Sequence, residues 1–581
     1  MQAETKNCQN CKKEFTIQPE DFAFYGKIKV PPPSWCPECR QMRRMSFRNE
    51  RTLYRRKCDK TGKDIISIYS PDSPHKVFDH AFWFSDQFDP MEYSQEYDLS
   101  RPFFEQMREF MLQMPWPSLR IEYCENCDYN NDIGRSKDCY LCARTHQSTN
   151  ALYGYRINKS RDCVDCMQVF EGSEFLYECI ECIACRHSSF LSSCENCVYS
   201  NFLTNCKNCL SCFMSTNLRN KQYVFKNEQL TKEEYAKRVK DFNSGSYLEK
   251  EKALAEFKKI CEKNVNKNLS ISNSINVSGD NIVSSKNVFM CFGVKDCEDS
   301  RYIWDIMRYK DSMDCYSGGD AELMYECTSS GMDYNVKFCT RGVHSHDIEY
   351  CFMARKCSNI FACIGLENKE FCIFNKQYSE ADYRALVIKI IEQMKEAGEY
   401  GEFLPMELSM FAYNETIAQE YFPMTKEQAL SKGLRWHDPY NKNYNITTKP
   451  EELPDDIKDV KEEILQETIG CAHEGSCRHG CTTAFKVIPR ELEFYKRMNL
   501  PLPRLCPNCR YYGRLNKLNP SKLWHKSCQC AGTESDNGVY KNLANHHMHN
   551  TEHCPNEFET SYAPNHSDIV YCEKCYQQEV Y

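Results

Sequence analysis

Short apolar segments alternate with polar turns at a constant spacing through the middle of the chain. Between residues 124 and 378, a small polar residue followed by a cysteine, aromatic or aliphatic residue recurs with a period near twelve. In the first half the polar positions are Asp138, Asn150, Asp162, Glu174, Asn196, Asn208 and Asn220. Short strands joined by polar turns are typical of a parallel β-solenoid, whose coils bury their inward side chains by stacking. We therefore predict a mainly β, solenoid-like repeat region.

This repeat region is duplicated. Residues 156–166 match residues 305–315, and residues 218–235 match residues 366–383. Each copy then enters a predicted helix. Thr231 and Ser379 stand in N-cap position, with Glu234 and Asp382 three residues further on, as a capping box requires. The pattern predicts two arrays separated by a helical insert.

Residues 177–213 hold eight cysteines, most of which the second copy lacks. Within this stretch Cys182 corresponds to Ser330, Cys185 to Asp333 and Cys197 to Ser345, and before it Cys163 corresponds to Ser312. A four-thiolate metal site cannot lose single ligands, so we expect most of these thiols to act as small buried hydrophobic side chains. One or two zinc ions, or an iron–sulfur cluster, stay open as alternatives. The residues of the zinc alternative are Cys124, Cys127, Cys139, Cys142, Cys182, Cys185, Cys194 and Cys197.

Both ends of the chain carry cysteines with zinc-ligand spacing. The N-terminal set is Cys8, Cys11, Cys36 and Cys39; the corresponding set near the other end is Cys477, Cys481, Cys506 and Cys509. From Cys11 and Cys481 onward the two stretches align without a gap. Four thiolates leave no open coordination position, so the spacing predicts one structural zinc ion in each module.

A third cluster closes the chain. Cys554 with Phe558 repeats the C-x3-F spacing of the other modules, and Cys572 with Cys575 forms the second knuckle, but no cysteine stands at Thr551, where the first ligand is expected. Cys528, Cys530, His547 and His549 are the candidates to complete this site, and the sequence does not choose among them. In total we predict two to three structural zinc ions.

The two aligned stretches share the pattern C-x2-C-x3-F…FY…P-x2-C-x2-C-R, apart from a wider first knuckle in the second, and resemble zinc-ribbon (treble-clef-like) modules. Three further stretches extend a resemblance over nearly all of the chain: CDKTGKDIISIYSPD, FPMTKEQALSKG and CPNEFETSYAP…YCEKCY. With them the sequence is similar to Cys-rich zinc-ribbon proteins of candidate-phyla bacteria. The resemblance implies an architecture and a metal, and no reaction.

Composition narrows the class of protein. The chain has 581 residues and 39 cysteines. Secreted proteins that are dense in disulfides are usually small, so a chain of this length does not fit that class. It begins with a polar segment, without the apolar stretch of a signal peptide, and no apolar run is long enough for a membrane helix. We expect a cytoplasmic protein with reduced thiols and no membrane partner.

We predict a multidomain protein with zinc ribbons at both ends, flanking the duplicated solenoid and its helical inserts. The predicted segments are 1–57 (zinc ribbon with basic flank), 58–123 (aromatic connector), 124–230 (first array), 231–268 (helical insert), 269–378 (second array), 379–470 (helical connector), 471–527 (second ribbon) and 528–581 (C-terminal ribbon). Within the connectors, residues 100–115, a stretch from Thr425 and the acidic run 450–468 are predicted to be helical.

A basic segment follows the second cysteine pair of each aligned module. Its residues are Arg40, Arg43, Arg44 and Arg48 in the first module, and Arg510, Arg514 and Lys517 in the second. Such a face suits phosphates, which favours a non-enzymatic protein that binds RNA, DNA or a ribosome. The alternatives are a protein-interaction scaffold that uses the solenoid surface, or a metal or redox enzyme that uses solenoid cysteines. We find no nucleotide-binding, zinc-protease or serine-hydrolase motif, and no residue is nominated as catalytic.

Overall fold

The structure is a computed structural model that describes residues 2–438, 444–477, 480–531, 542, 549 and 553–581. The chain divides into two compact units, each built from separated segments. Unit 1 combines residues 1–119 with 269–438, and unit 2 combines residues 120–268 with 439–581. The mainly β architecture predicted from the repeats is confirmed, with solenoid coils between residues 121 and 373 and cysteine clusters near both termini.

The elements of unit 1 are as follows. Its strands are Glu4–Asn7, Glu14–Ile17, Tyr54–Lys57, Asp64–Ser67, Val77–Phe78, Trp116–Pro117, Ile271–Ser272, Ile275–Val283, Lys286–Lys295, Glu298–Arg301, Trp304–Lys310, Met313–Gly331, Tyr334–Lys337, His346–Glu349, Ser358–Phe361, Glu370–Ile373 and Lys376–Gln377. Its helices are Pro19–Ile28, Pro37–Met45, His80–Trp83, Phe103–Gln113, Glu380–Glu396, Ile417–Tyr421 and Lys426–Ser431, with 3-10 turns at Pro90–Tyr93, Met406–Leu408 and Tyr413–Glu415.

Unit 2 contains the same kinds of element. Its strands are Ile121–Glu122, Asn131–Gly134, Ala143–His146, Tyr155–Asn158, Met167–Phe170, Cys182–Ile183, Ser189–Ser192, Asn201–Thr204, Phe213–Thr216, Val224–Phe225, Glu228–Gln229, Val265–Lys267, Ile469–Gly470, Ala484–Phe485, Trp524–Ser527, Glu557–Thr560 and Ile569–Tyr571. Its helices are Lys232–Lys240, Tyr247–Cys261, Pro489–Met498, Pro507–Leu515 and Glu573–Val580, with 3-10 turns at Pro450–Glu452, Ile457–Asp459 and Glu462–Leu465.

Each array is a parallel solenoid with a repeat of three residues inside the repeat of twelve. Left-handed backbone recurs at nearly every third position, and the side chain that follows it points inward. Successive left-handed residues include Asp138, Leu141, Arg144, Gln147 and Asn150. The buried residues that follow them are Cys139, Cys142, Thr145, Ser148 and Ala151. Because four such steps make one coil, the inward side chains form four columns along the solenoid.

The coils pair in parallel with matching side chains above one another. In unit 2 Leu191 pairs with Leu203, and in unit 1 Val336 pairs with Ile348. Stacking like residues in this way buries a continuous core, which a single coil could not do. The second array forms an eleven-strand sheet in chain order, which ends in the antiparallel pair Glu370–Ile373 and Lys376–Gln377.

The helices predicted after the arrays are confirmed. The first begins at Lys232 with the Thr231–Glu234 capping box in place, and the second begins at Glu380, where Ser379 accepts from the Asp382 amide. The helices predicted within 100–115 and after Thr425 are also present, at Phe103–Gln113 and Lys426–Ser431.

The helix predicted over the acidic run 450–468 is wrong. This segment forms three 3-10 turns instead, and Leu453, Ile457 and Ile464 are buried in the hydrophobic cluster that also contains Phe494. Pro454 fixes its own backbone angle, lacks an amide donor and disfavours helical geometry at Leu453, so one continuous helix cannot span 450–468.

Aromatic side chains cover one side of each array. In unit 1 Phe103 packs against Phe361 with 5.6 Å between the ring centroids, and Phe110 packs against Phe374 at 5.1 Å. The part of the connector 58–123 that belongs to unit 1, residues 58–119, therefore packs against the surface of the array. None of the helices in the described parts of the chain is both long and apolar enough to cross a membrane.

Candidate metal centres

The first module brings its four predicted thiols together. The hairpin Glu4–Asn7 and Glu14–Ile17 positions Cys8 and Cys11, and the helix Pro37–Met45 begins directly after Cys36. Together with Cys39, these four Sγ atoms lie within 4.8 Å of one another. The Sγ atoms of Cys11 and Cys36 are 3.8 Å apart, which is close to the edge of a tetrahedron with metal–sulfur bonds of about 2.3 Å.

The second module uses a different first ligand from the one the sequence suggested. Its four-thiol group is Cys471, Cys481, Cys506 and Cys509, whereas Cys477 belongs to a separate group with His473 and Cys509. Cys471 has the same backbone position as Cys8, because the amide of Cys506 donates to its sulfur at 3.3 Å as the Cys36 amide does to Cys8 at 3.2 Å. The assignment of Cys477 to the four-thiol site is corrected accordingly. The four-residue spacing to Cys481 made it look like a knuckle partner.

In the third module the fourth thiol is Cys528. It joins Cys554, Cys572 and Cys575, and the Cys572 amide donates to its sulfur at 3.2 Å. Cys530 and His549 form a second group with Cys575, and His547 lies outside the described residues. The three modules thus share one hydrogen-bonding pattern although the spacing between their first two ligands differs widely.

In all three modules a cysteine stands at the N-cap of the second-knuckle helix, and its thiolate is favoured. The hydrogen bond from Cys39 lowers the pKa of Cys36 to about 5, and the one from Cys471 lowers the pKa of Cys506 to about 4. Hydrogen bonding from Cys528 and Cys575 also holds the pKa of Cys572 well below its usual range. Metal ligation needs the deprotonated sulfur, so these positions are suited to it.

Residues 54–82 contain a module of the same design that keeps a cysteine, Cys58, at one of the four ligand positions and so has no four-thiol group. Strands Tyr54–Lys57 and Asp64–Ser67 form a hairpin, and Cys58 lies between them, directly after the first strand. The Cys58 sulfur accepts a hydrogen bond from the Asp79 amide at 3.3 Å. Asp79 is the N-cap of the following helix, as Cys572 is in the third module. The sequence does carry a signal for this relationship, because the gapless alignment of the two ribbons, continued beyond their last cysteines, places Cys58 on Cys528.

The arrays use their cysteines as they use serines. Cys185 Sγ donates to the carbonyl two residues earlier at 3.4 Å, as Ser188 Oγ does at 2.8 Å. These γ atoms also accept from the next coil. The amide of Ser200 donates to Ser188 Oγ, and that of Cys351 to Cys339 Sγ. This shared role explains why cysteine and serine exchange between the two copies.

The array cysteines named in the zinc alternative do not meet in a metal-binding group. Within the described residues, the groups with ligand geometry all lie in the terminal modules. The array cysteines are instead distributed along the inward columns, and the Sγ atom of each donates a hydrogen bond to the backbone carbonyl two residues earlier. These cysteines are Cys124, Cys127, Cys139, Cys142, Cys182, Cys185, Cys194 and Cys197.

The basic segment of the first module is buried. Arg40 Nη2 lies 2.8 Å from Asp314 Oδ2, and Arg44 Nη1 lies 2.7 Å from Glu326 Oε2, with all four side chains 1% exposed or less. Arg43 also binds Glu326, at 2.8 Å. The expectation that these arginines and Arg48, which is fully buried beside Glu50, form an exposed basic face is corrected. Their charges are neutralised inside unit 1.

Unit 2 contains the same arrangement. Arg510 Nη1 lies 2.9 Å from Asp165 Oδ2, and Arg514 Nη2 lies 3.3 Å from the other oxygen of that carboxylate. Asp165 is the residue that matches Asp314 in the first copy of the array. Lys517 differs, because its side chain is exposed. In both units, therefore, a ribbon helix is held on an array by buried ion pairs.

No protein-family model matches the sequence, and no curated protein matches it as a relative.

Proposed function

We propose that the protein is a non-enzymatic zinc protein that acts as a protein-interaction scaffold. The buried pairing of ribbon arginines with array carboxylates, present in both units, carries this proposal. It uses the basic segments for internal structure, so the metal modules serve to hold the arrays in place. The four-thiol sites leave no coordination position for a substrate, which favours a structural metal.

Zinc is the metal that fits these sites best. Tetrahedral four-thiolate sites select zinc or iron, and closed sites at small ribbon modules supply folding free energy. The 39 cysteines form no disulfide, which suits a reducing compartment such as the cytoplasm. Elemental analysis with a visible spectrum distinguishes the metals, since zinc thiolates are colourless.

The outward faces of the arrays supply a surface for a protein partner. His187 and Tyr199 stack with 4.9 Å between their ring centroids, and Tyr199 is 57% exposed. On another face Asn196, Asn208 and Asn220 form a ladder of side-chain hydrogen bonds at 3.0 and 2.9 Å. Exposed aromatic residues on a rigid frame are typical of protein-binding surfaces.

Cross-linking of the full-length protein in cells that express it tests the scaffold. We expect cross-links to a protein partner on the outer face around Tyr199, lost in Tyr199→Asp and kept in Tyr334→Asp, a matched exposed tyrosine of the other array. The competing function is nucleic-acid binding through exposed cations such as Lys517. Salt-dependent binding of mixed-sequence RNA or DNA that is lost in Lys517→Glu would overturn the scaffold in favour of that function.

A further inference from the structure

The second module holds more metal ligands than one ion needs. Besides its four-thiol group, the structure places His473 and Cys477 beside Cys509, with one ligand atom of each within 4.8 Å of the others. The Sγ atoms of Cys477 and Cys509 are 3.5 Å apart, and those of Cys471 and Cys509 are 3.8 Å apart. Cys509 therefore belongs to both groups.

A tight turn after Cys471 creates the extra group. The amide of Glu474 donates to the Cys471 carbonyl at 2.8 Å, and the Ser476 amide donates to the His473 carbonyl at 2.7 Å. Glu474 and Gly475 adopt left-handed backbone. The first module has only two residues between its first two ligands and lacks this turn, yet completes a four-thiol group. The insertion is thus additional to what a single metal site requires.

The third module repeats the arrangement with different residues. Cys530 stands two residues after Cys528, as His473 stands two residues after Cys471. His549 Nε2 lies 3.4 Å from Cys530 Sγ and 3.3 Å from Cys575 Sγ. Cys575 is the counterpart of Cys509. Two insertions of unrelated sequence therefore bring one histidine and one cysteine to the same shared thiol.

We propose that each of these two modules binds a second zinc ion, joined to the first by a bridging thiolate. Cys509 bridges in the second module and Cys575 in the third. The second ion is held by three protein ligands, one imidazole and two thiolates, which leaves one coordination position open. His473 and Cys477 are only half-buried, so this ion exchanges with solvent more readily than the enclosed four-thiol ion.

The metal content of the full-length protein tests the proposal. We expect five zinc ions per chain after reconstitution with excess zinc, counted by native mass spectrometry, and a weak chelator should remove two of them first. Cys477→Ser and Cys530→Ser should each remove one ion, and the double variant should hold three. Cys185→Ser, which alters a buried array thiol, is the control and should hold five. Saturation of the wild type at three ions, or unchanged content in Cys477→Ser, would overturn the second sites.

Cadmium replacement tests the bridge. Two cadmium ions that share Cys509 or Cys575 should show mutual spin coupling in cadmium-113 spectra, which Cys477→Ser and Cys530→Ser abolish while the folded far-ultraviolet signal is kept. Five ions without such coupling would overturn the shared thiolate. These outcomes do not bear on the scaffold, which needs only the closed four-thiol sites.

Discussion

Arg40 and Asp314 form an ion pair 2.8 Å long in which both side chains are excluded from water. Asp314 also faces Arg44, and the neighbouring Glu326 binds Arg43 and Arg44. Removing water from charged groups costs several kcal/mol per ion, so these pairs persist only because each charge meets its partner. The first module is thereby tied to the second array.

Removing one carboxylate of this network should strongly destabilise unit 1. We expect Asp314→Ala to lower the free energy of unfolding by about 3–5 kcal/mol, because it leaves buried guanidinium groups without a full counter-charge. Urea unfolding of the full chain measures the change. Asp64→Ala, which breaks the exposed pair with Lys57, is the control and should cost less than about 1 kcal/mol. Equal losses of unfolding free energy in the two variants would contradict a stabilising role for the buried ion pairs.

Cysteines of the arrays and of the modules should respond differently to serine. Cys185→Ser keeps the donor to the coil carbonyl and should leave the metal content unchanged. Cys36→Ser removes a ligand and should lose one ion together with the fold of the first module. Elemental analysis of the purified variants measures both. Loss of metal in Cys185→Ser would place a metal ion in the array.

Stability should depend on the ionisation of Asp333. This inward side chain accepts from the Ser345 amide at 2.7 Å, and burial raises its pKa to about 7. The folded chain therefore binds more protons than the unfolded chain between the ordinary aspartate pKa and about 7. The stabilisation that protonated Asp333 gives the folded chain is complete below that window. The free energy of unfolding then falls by about 1.4 kcal/mol per pH unit as the pH rises through the window.

Asp333→Asn should remove this dependence. Compared with the wild type, the variant should gain relative stability between pH 5 and pH 8, because the amide cannot ionise. Urea unfolding of both proteins at the two pH values gives the difference directly. A wild-type-minus-variant difference that stays constant with pH would show that Asp333 does not titrate in this range.

Gly279 should be intolerant of any side chain. Its φ is 131°, and a Cβ atom there would lie 1.7 Å from the Cys291 carbonyl oxygen, where the strand register shifts. We expect Gly279→Ala to cost about 2 kcal/mol or more. Gly26→Ala, in a helix with open space around it, should instead be neutral or slightly stabilising. Thermal unfolding compares the two variants.

The sequence was informative where its signal is local. The duplicated arrays, the N-caps at Thr231 and Ser379 and the cysteine clusters at the ends follow from spacing and residue type alone. The three-residue step was missed because its inward positions mix Cys139, Thr145, Ser148 and Ala151, which share small size and not a hydrophobicity class.

Other features depend on contacts distant in sequence. The charges of Arg40 and Arg510 are visible in the sequence, but the carboxylates that bury them belong to array coils far along the chain. Ligand spacing likewise favoured Cys477 over Cys471, because only the folded turn shows which sulfur receives the Cys506 amide. The sequence did hold one signal for these ion pairs. Asp165 and Asp314 match between the two copies of the array, as Arg40 and Arg510 match between the two modules.

Unit 1 takes its ribbon from the beginning of the chain and its array from the second copy, whereas unit 2 takes its array from the first copy and its ribbons from the end. Because each unit combines segments that are far apart in the sequence, the two units are completed at different stages of synthesis. A nascent chain exposes the arginines of the first module until Asp314 and Glu326 emerge, and the first array carries an unpaired Asp165 until Arg510 follows. Unit 1 can therefore be completed while unit 2 is still unfinished, and a chain stopped after the first array contains neither unit.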